Sequence, residues 1–482
     1  MKEESLLLLS DLQKLINQVV LIDYTIIILG GTYMKRKVAA CYLKKGMAYC
    51  LMGAMLLGLS IGTAGCGKEQ KGTQEAEGNT EIQEVEGNDG PIEIVYWNQW
   101  TQEDETAFLK KYVEEYNSSQ DKYHVSFLAI PYEEYTTTKL ATAFATNEAP
   151  DIFECSPAII NQYLDAGVCE PLDDIITDEI RNDFTDAAFD RVSRDGKIYG
   201  IPLDSDLVAL YYNKEILEQN DIDPPTTWAE LKDAAAKLNT ADYAGFTFEV
   251  DKGDWQCFTF YPFVWMQGGS LFTSDGMANL NSEEVVNALQ LWKDLLDSGD
   301  CNETPGRSVS DISILTNGET AMQINGSWSV LRVDSEKYGV VPLPAATAGG
   351  DTASVAGGWN VLVSNQSSEE KIAGAKDFIS WMWLNVDHVT EFDTKAKFSY
   401  CMRNSVIEAG AEVYQSNPNA IVFSDEVLQT AKPEIALSGE AKEIVSTMIQ
   451  DALYNMSAKE AADIAQESML KYQEANGARF GG

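Results

Sequence analysis

Histidine is nearly absent from this chain of 482 residues, which carries only His124 and His388. Two isolated imidazoles argue against a zinc site and against a His-based catalytic triad. Cysteine is sparse as well. Of the eight present, Cys155, Cys169, Cys257, Cys301 and Cys401 follow residue 66, with no CxxC pair and no dense spacing. That rules out a disulfide framework and leaves a single isolated pair open. The chain has no P-loop, no dinucleotide fingerprint and no EF-hand loop, so no cofactor or metal is expected. Basic residues are outnumbered, 35 Lys and Arg against 75 Asp and Glu, for a formal charge of −40. Such a surface opposes nucleic acid and anionic lipid faces as partners, but it identifies no ligand. No internal repeat is evident.

What the chain does have begins near its start. Lys35, Arg36, Lys37, Lys44 and Lys45 form a basic region, Met47 to Ile61 is an apolar run short for a spanning helix, and Thr63-Ala64-Gly65-Cys66 follows. This order reads as a lipoprotein export signal over residues 34–65, cleaved before Cys66, whose thiol is then lipidated. Thr63 departs from the Leu usual three residues before such a cysteine. Residues 1–33 precede the basic region and fit poorly with an export signal. Gly30-Gly31 allows codons resembling a ribosome-binding sequence just upstream of Met34, so these residues read as a mis-assigned leader. Residues 66–90 are rich in Gly, Glu, Gln, Thr and Asn, and such a segment buries too little apolar surface to offset its ordering entropy. It reads as a flexible linker.

The body of roughly 390 residues exceeds one ordinary core and is expected to split into two lobes. Ile92 to Trp97 reads as a strand, followed by a helix burying Phe108, Leu109, Tyr112, Val113 and Tyr116. His124 to Ala129 is the next strand, Glu133 to Thr146 a helix and Asp151 to Glu154 a short strand. Thr227-x-x-Glu230, Asn281-x-x-Glu284 and Ser367-x-x-Glu370 each read as a capping box opening a helix. The alternation predicts an α/β fold with largely parallel sheets.

The ordered motifs carry a resemblance. Tyr96-Trp97, Ala149-Pro150-Asp151-Ile152, Asp165-Ala166-Gly167 and Pro171-Leu172-Asp173-Asp174 come first. Tyr199-Gly200-Ile201-Pro202, Tyr211-Tyr212-Asn213-Lys214 and Pro224-Pro225-Thr226-Thr227-Trp228 follow. Then come Gly268-Gly269-Ser270, Gly318-Glu319-Thr320-Ala321-Met322, Asn325-Gly326-Ser327-Trp328, Gly357-Gly358-Trp359 and Met402-Arg403-Asn404-Ser405. Each is weak alone, but in this order over residues 92–480 they resemble extracellular solute-binding proteins of the maltose and oligosaccharide type.

That resemblance implies a two-lobed periplasmic-binding-protein-like fold with a hinge and an interlobe cleft. It implies a first lobe over residues 91–205 and 346–403 and a second over 206–345 and 404–482, closing on a sugar. The partners it implies are a sugar, the permease subunits of an ATP-driven (ABC) importer, and the membrane through the lipid on Cys66. Pyranose rings stack their C–H faces on aromatics and need fixed polar groups for their hydroxyls. Trp97, Trp255, Trp328 and Trp359 are the candidate stacking residues, and Glu154, Asp204, Asp206 and Arg403 the candidate polar ones. Trp228, Trp265, Trp292, Trp381 and Trp383 are expected in the core, and Asp151 in a structural role. The rival class is a secreted glycoside hydrolase, which needs two carboxylates at a set separation; abundant acids do not discriminate it.

Overall fold

The computed structural model describes residues 90–185, 188–301, 309–437 and 439–481. The segments read above as leader, export signal and lipidated Cys66, and all of the 66–90 linker but its last residue, lie outside these. Eight strands organise the lobes: β1 (Ile92–Asn98), β2 (Tyr123–Ala129), β3 (Ile152–Cys155), β4 (Gly200–Pro202), β5 (Val208–Asn213), β6 (Met322–Gly326), β7 (Tyr338–Val341) and β8 (Asn360–Val363). The first lobe's sheet runs β2-β1-β3-β8-β4 and the second lobe's runs β6-β5-β7. The fold is the two-lobed α/β architecture of periplasmic binding proteins.

The sheets are less parallel than the alternation predicts. β1 is parallel to β2 and β3, but β8 lies antiparallel between β3 and β4, and β5 is antiparallel to both β6 and β7. The cause is the chain's path. β4 leaves the first lobe and β8 re-enters it, so the two must run in opposite directions side by side.

Helix α1 (Glu103–Ser119) opens with a capping box between Gln102 and Glu105 and buries Phe108, Leu109, Tyr112, Val113 and Tyr116, as their spacing predicts. Helix α2 (Trp228–Leu238) is capped by Thr227 and Glu230. Two other starts fall one residue later than read. Ser282 caps α3 (Glu283–Asp297), while Asn281 donates to Asp463; Ser368 caps α4 (Glu369–Trp383), while Ser367 donates to Asp151 at 2.6 Å. In both pairs the neighbouring residue is equally able to cap, and tertiary partners decide which one does. Asp151 also accepts from Val95 N–H and from Lys371, a structural role.

Each lobe closes around its own core. The first buries Tyr96, Trp100, Phe153 and Trp383, with Trp100 meeting Trp383 edge-on at 5.5 Å. The second gathers Phe246, Phe248, Phe260 and Phe263 around Trp292. A smaller third cluster, including Leu207, Tyr211, Tyr400 and Phe423, sits where the chain passes between them.

At that passage three segments run side by side. Leu203 N–H donates to Trp359 O at 2.9 Å and Ser205 N–H to Tyr400 O at 2.7 Å. Gly358 has φ of +103°, a conformation that L side chains rarely adopt, and a Cβ there would stand 2.2 Å from the carbonyl oxygen of Asp204. Glycine is what lets the outgoing and returning strands touch.

Candidate functional site

Between the lobes lies a cavity of about 360 Å3, within the range of small-molecule sites. The first lobe supplies Gln99, Thr101 and Gln102 from the loop after β1 and Glu105 from the first turn of α1, together with Tyr132, Glu133, Ser156 and Trp359. The second lobe supplies Trp255 and Phe258 from helix Asp254–Trp265, Trp328 and Arg332 from the turn after β6, and Glu434. Asp206 and Lys397 come from the passage between lobes.

The aromatic wall is rigidly built. Trp255 meets Trp328 edge-on, with ring centroids 5.4 Å apart, and stacks on Phe258 at 5.6 Å. Trp359 meets Tyr132 edge-on at 6.1 Å. The Trp328 ring folds back over Gly326, where a Cβ would stand 2.0 Å from it. Only glycine at 326 leaves the indole that place.

Three buried polar atoms of the lining have no hydrogen-bond partner: Asp206 Oδ1, Ser156 Oγ and Trp255 Nε1. Buried polar groups are ordinarily paired, and leaving one unmade costs about 1–3 kcal/mol. An acceptor, a hydroxyl and a donor therefore wait together beside aromatic faces.

The polar floor is ionic. Lys397, 3% exposed, donates to Asp204 and, at 2.9 Å, to Asp206. Burial alone would lower the Lys397 ammonium, yet the two carboxylates hold it well above its usual value. Asp204 also accepts from Trp359 N–H at 2.7 Å, so it orients the aromatic without facing the cavity. Across the cleft, Arg332 reaches Glu105 at 2.9 Å, tying the turn that carries Trp328 to the start of α1. Burial raises the Glu105 carboxyl even against the pull of Arg332.

Of the eight residues read from sequence, Asp206, Trp255, Trp328 and Trp359 line the cavity and Asp204 supports them from behind. The other three stand elsewhere. Trp97 is half-buried against the first core. Glu154 is fully buried, accepts the Tyr96 hydroxyl, and is held by burial well above the usual carboxylate range. Arg403 is spent within the first lobe, donating to Asp183 at 2.6 Å and to the Leu384 carbonyl at 2.7 Å. Trp100, in the loop just after β1, is fully buried in the first core. Sequence reasoning missed Tyr132, Lys397, Arg332 and Glu434; no local pattern marks them, because their roles arise from the meeting of distant segments. No cluster among the described residues is arranged to hold a metal.

Burial, the largest influence, pushes Asp206 from an ordinary 3.8 to about 6, Glu249 from 4.5 to about 7 and Glu434 from 4.5 to about 8. The folded chain therefore keeps protons that the unfolded chain releases from about pH 4 upward, so stability falls as pH rises through that window. His388, lowered chiefly by burial, acts in the opposite sense, but it stands against these three and against Glu105, Glu133, Glu154 and Asp393, which burial also raises. The melting temperature measured by circular dichroism is expected to be higher at pH 5 than at pH 8. A steady rise over that interval contradicts the assignment.

A second cavity of about 850 Å3, bordered by Arg194, Trp265, Lys432, Tyr472 and Phe480, is larger. One orphaned atom, Arg194 Nε, borders it, against three beside the aromatic wall of the smaller cavity, which is the better candidate.

Comparison with known proteins agrees with this geometry. The chain is 24% identical over 354 residues to the arabinooligosaccharide-binding protein of Bacillus subtilis (strain 168), covering 70% of this chain and 76% of that protein. Its fold matches a cyclic α-maltosyl-1,6-maltose binding protein from Arthrobacter globiformis, with a TM-score of 0.64 and 25% identity over 80% of this chain and 100% of that one. It also matches the GacH receptor of Streptomyces glaucescens GLA.O, with a TM-score of 0.69 and 24% identity over 80% of this chain and 98% of that one. The family model described as bacterial extracellular solute-binding protein matches residues 99–384, more than half of the chain. This protein therefore belongs to the bacterial extracellular solute-binding proteins.

Proposed function

We propose that the protein captures an oligosaccharide between its lobes and delivers it to the permease of an ATP-driven importer, without acting on it as an enzyme. The observation that carries this reading is the cavity's pairing of aromatic faces with three unpartnered polar atoms. Indole faces suit pyranose C–H surfaces, while Asp206 Oδ1, Ser156 Oγ and Trp255 Nε1 suit hydroxyls, which both donate and accept. The oligosaccharides named for two of the relatives above support the same class of ligand. A ligand that binds only the folded state raises the melting temperature. Thermal-shift screening against an oligosaccharide panel is expected to give a saturable rise of several degrees, with no reducing sugar released on prolonged incubation. Steady release would instead favour the glycoside hydrolase class.

The proposal extends to location. A signal over residues 34–65 and a lipid on Cys66 would hold the protein at the outer face of the cell membrane, the polar residues up to 90 serving as a leash. One acyl chain anchors only marginally, so the modified cysteine needs more than one. Metabolic labelling with palmitate is expected to mark the protein in cells and to fail for Cys66→Ala; equal labelling of both removes the anchor.

A further inference from the structure

The charges around the cavity do not balance. Around Tyr132, near its Glu434 end, the carboxyls of Asp206, Glu133, Asp254 and Glu434 converge, with Asp204 behind Asp206. Three cations face them, and each is already engaged. Lys397 is held between Asp204 and Asp206, and Lys442 pairs with Asp254 at 2.8 Å. Arg191 donates to the carbonyls of Gly357 and Asp204, both at 2.8 Å.

Glu133 and Glu434 line the cavity, and among the described residues their carboxyl groups accept no hydrogen bond and form no ion pair, although Glu434 N–H donates to Ala356 O at 3.1 Å. They approach from opposite lobes: Glu133 lies on the helix beginning at Tyr132, and Glu434 follows the strand Ala431–Pro433. Burial first, and the nearby Asp254 carboxylate second, raise both above the ordinary range. Asp206, 6% exposed and with its Oδ1 unpartnered, lines the same cavity. Glu133 is exposed at the cavity's rim, while half-buried Glu434, pushed up to about 8, keeps its proton until a nearby cation favours its charged form, so an incoming ammonium would let it ionise and pair. The walls beside them, Tyr132, Trp255 and Phe258, are aromatic, and aromatic faces attract cations too. An anion entering here would meet carboxyls while every nearby cation is already engaged: Arg332 with Glu105, Lys442 with Asp254 and Arg191 with two carbonyls.

We propose that the occupant carries a protonated amine at the end walled by Glu133 and Glu434, so that the ligand class is an amino-sugar oligosaccharide, preferred over neutral sugars and over uronic acids. This rests on the oligosaccharide reading above and narrows it.

The test is calorimetric titration of the purified protein, at pH 7 and low salt, with matched α-1,4- and β-1,4-linked trisaccharides in neutral, 2-amino and uronic forms. The amine form is expected to bind at least about tenfold more tightly than its neutral counterpart, and the uronic form not to bind detectably. Combining Glu133→Gln with Glu434→Gln, which keeps shape and removes both ionisable carboxyls, is expected to collapse the preference for the amine to within about twofold. A neutral or uronic form that equals or exceeds the amine overturns the inference and leaves the sugar reading intact. Absence of binding by every member overturns the sugar reading itself, and the inference with it.

Discussion

Lys397→Met is expected to cost about 3–5 kcal/mol of stability at pH 7, the range found when a buried ion pair loses one partner. The lysine is 3% exposed and stands between Asp204, fully buried, and Asp206, 6% exposed. Methionine fills a similar volume, so packing changes little and the loss is electrostatic. Two carboxylates would then share one dry site with no cation between them. They lie where β4 leaves the first lobe and the returning segment passes on to β8, so repulsion there acts on the joint between lobes. The loss is a large part of the 5–15 kcal/mol that a folded protein ordinarily has.

The same reasoning fixes the pH dependence of the variant. Asp206 already sits near 6 with the lysine present. Without it Asp206 takes up a proton more readily, which relieves its repulsion with Asp204, so lowering the pH to 5 is expected to restore much of the loss. Adding Asp204→Asn and Asp206→Asn is expected to do so at pH 7. Urea unfolding at pH 7 and pH 5 makes the measurement. A Lys397→Met protein as stable as the parent at pH 7 shows that the triad contributes nothing net.

Trp328→Ala is expected to weaken oligosaccharide binding by about 10–100-fold, the scale on which buried tryptophan anchors act in interfaces. The indole is half-buried, braced edge-on by Trp255 and seated over Gly326, so its orientation is set before a ligand arrives. Preorganisation of this kind lets an aromatic contribute without a further ordering cost. Because the ring borders a cavity, its loss is expected to lower the melting temperature far less than it lowers affinity. Trp328→Phe, which keeps an aromatic face, is expected to recover part of the binding. Calorimetric titration with whichever oligosaccharide gives the largest thermal shift provides the comparison. Unchanged affinity in the alanine variant removes Trp328 from the site.

How much of this was legible in the sequence depends on distance along the chain. Local signals were readable: the helical spacing that buries Phe108 to Tyr116 and the capping box at Thr227 both appear as expected. Where two capping residues stood adjacent, as at Asn281-Ser282 and Ser367-Ser368, sequence had no means of choosing. The side-chain hydroxyl of Ser367 is drawn away by Asp151, a contact made across the fold. The antiparallel insertion of β8 follows from the chain's return between lobes, which strand propensity does not encode.

The site shows the same division. Trp328 and Trp359 were marked by the glycines before them, and those glycines have physical reasons, one clearing space for an indole and the other letting two strands touch. Glu154 lies at the end of a strand, where ligands often bind in α/β sheets, but it faces inward to Tyr96. Arg403 carried the right chemistry and is consumed by Asp183. Lys397, Arg332 and Glu434 stand in no motif; folding sets the first two against partners far along the chain and brings Glu434 to the cavity wall.

The central claim is that a sugar sits between the lobes against Trp328 and Trp359. A crystal structure of the protein with the oligosaccharide that most raises its melting temperature tests it most directly. Expected is a sugar ring over the Trp328 indole, with a hydroxyl or amine within about 3 Å of Asp206 Oδ1. A sugar found instead in the larger cavity beside Trp265 and Tyr472, with the Asp206 cavity empty, contradicts it.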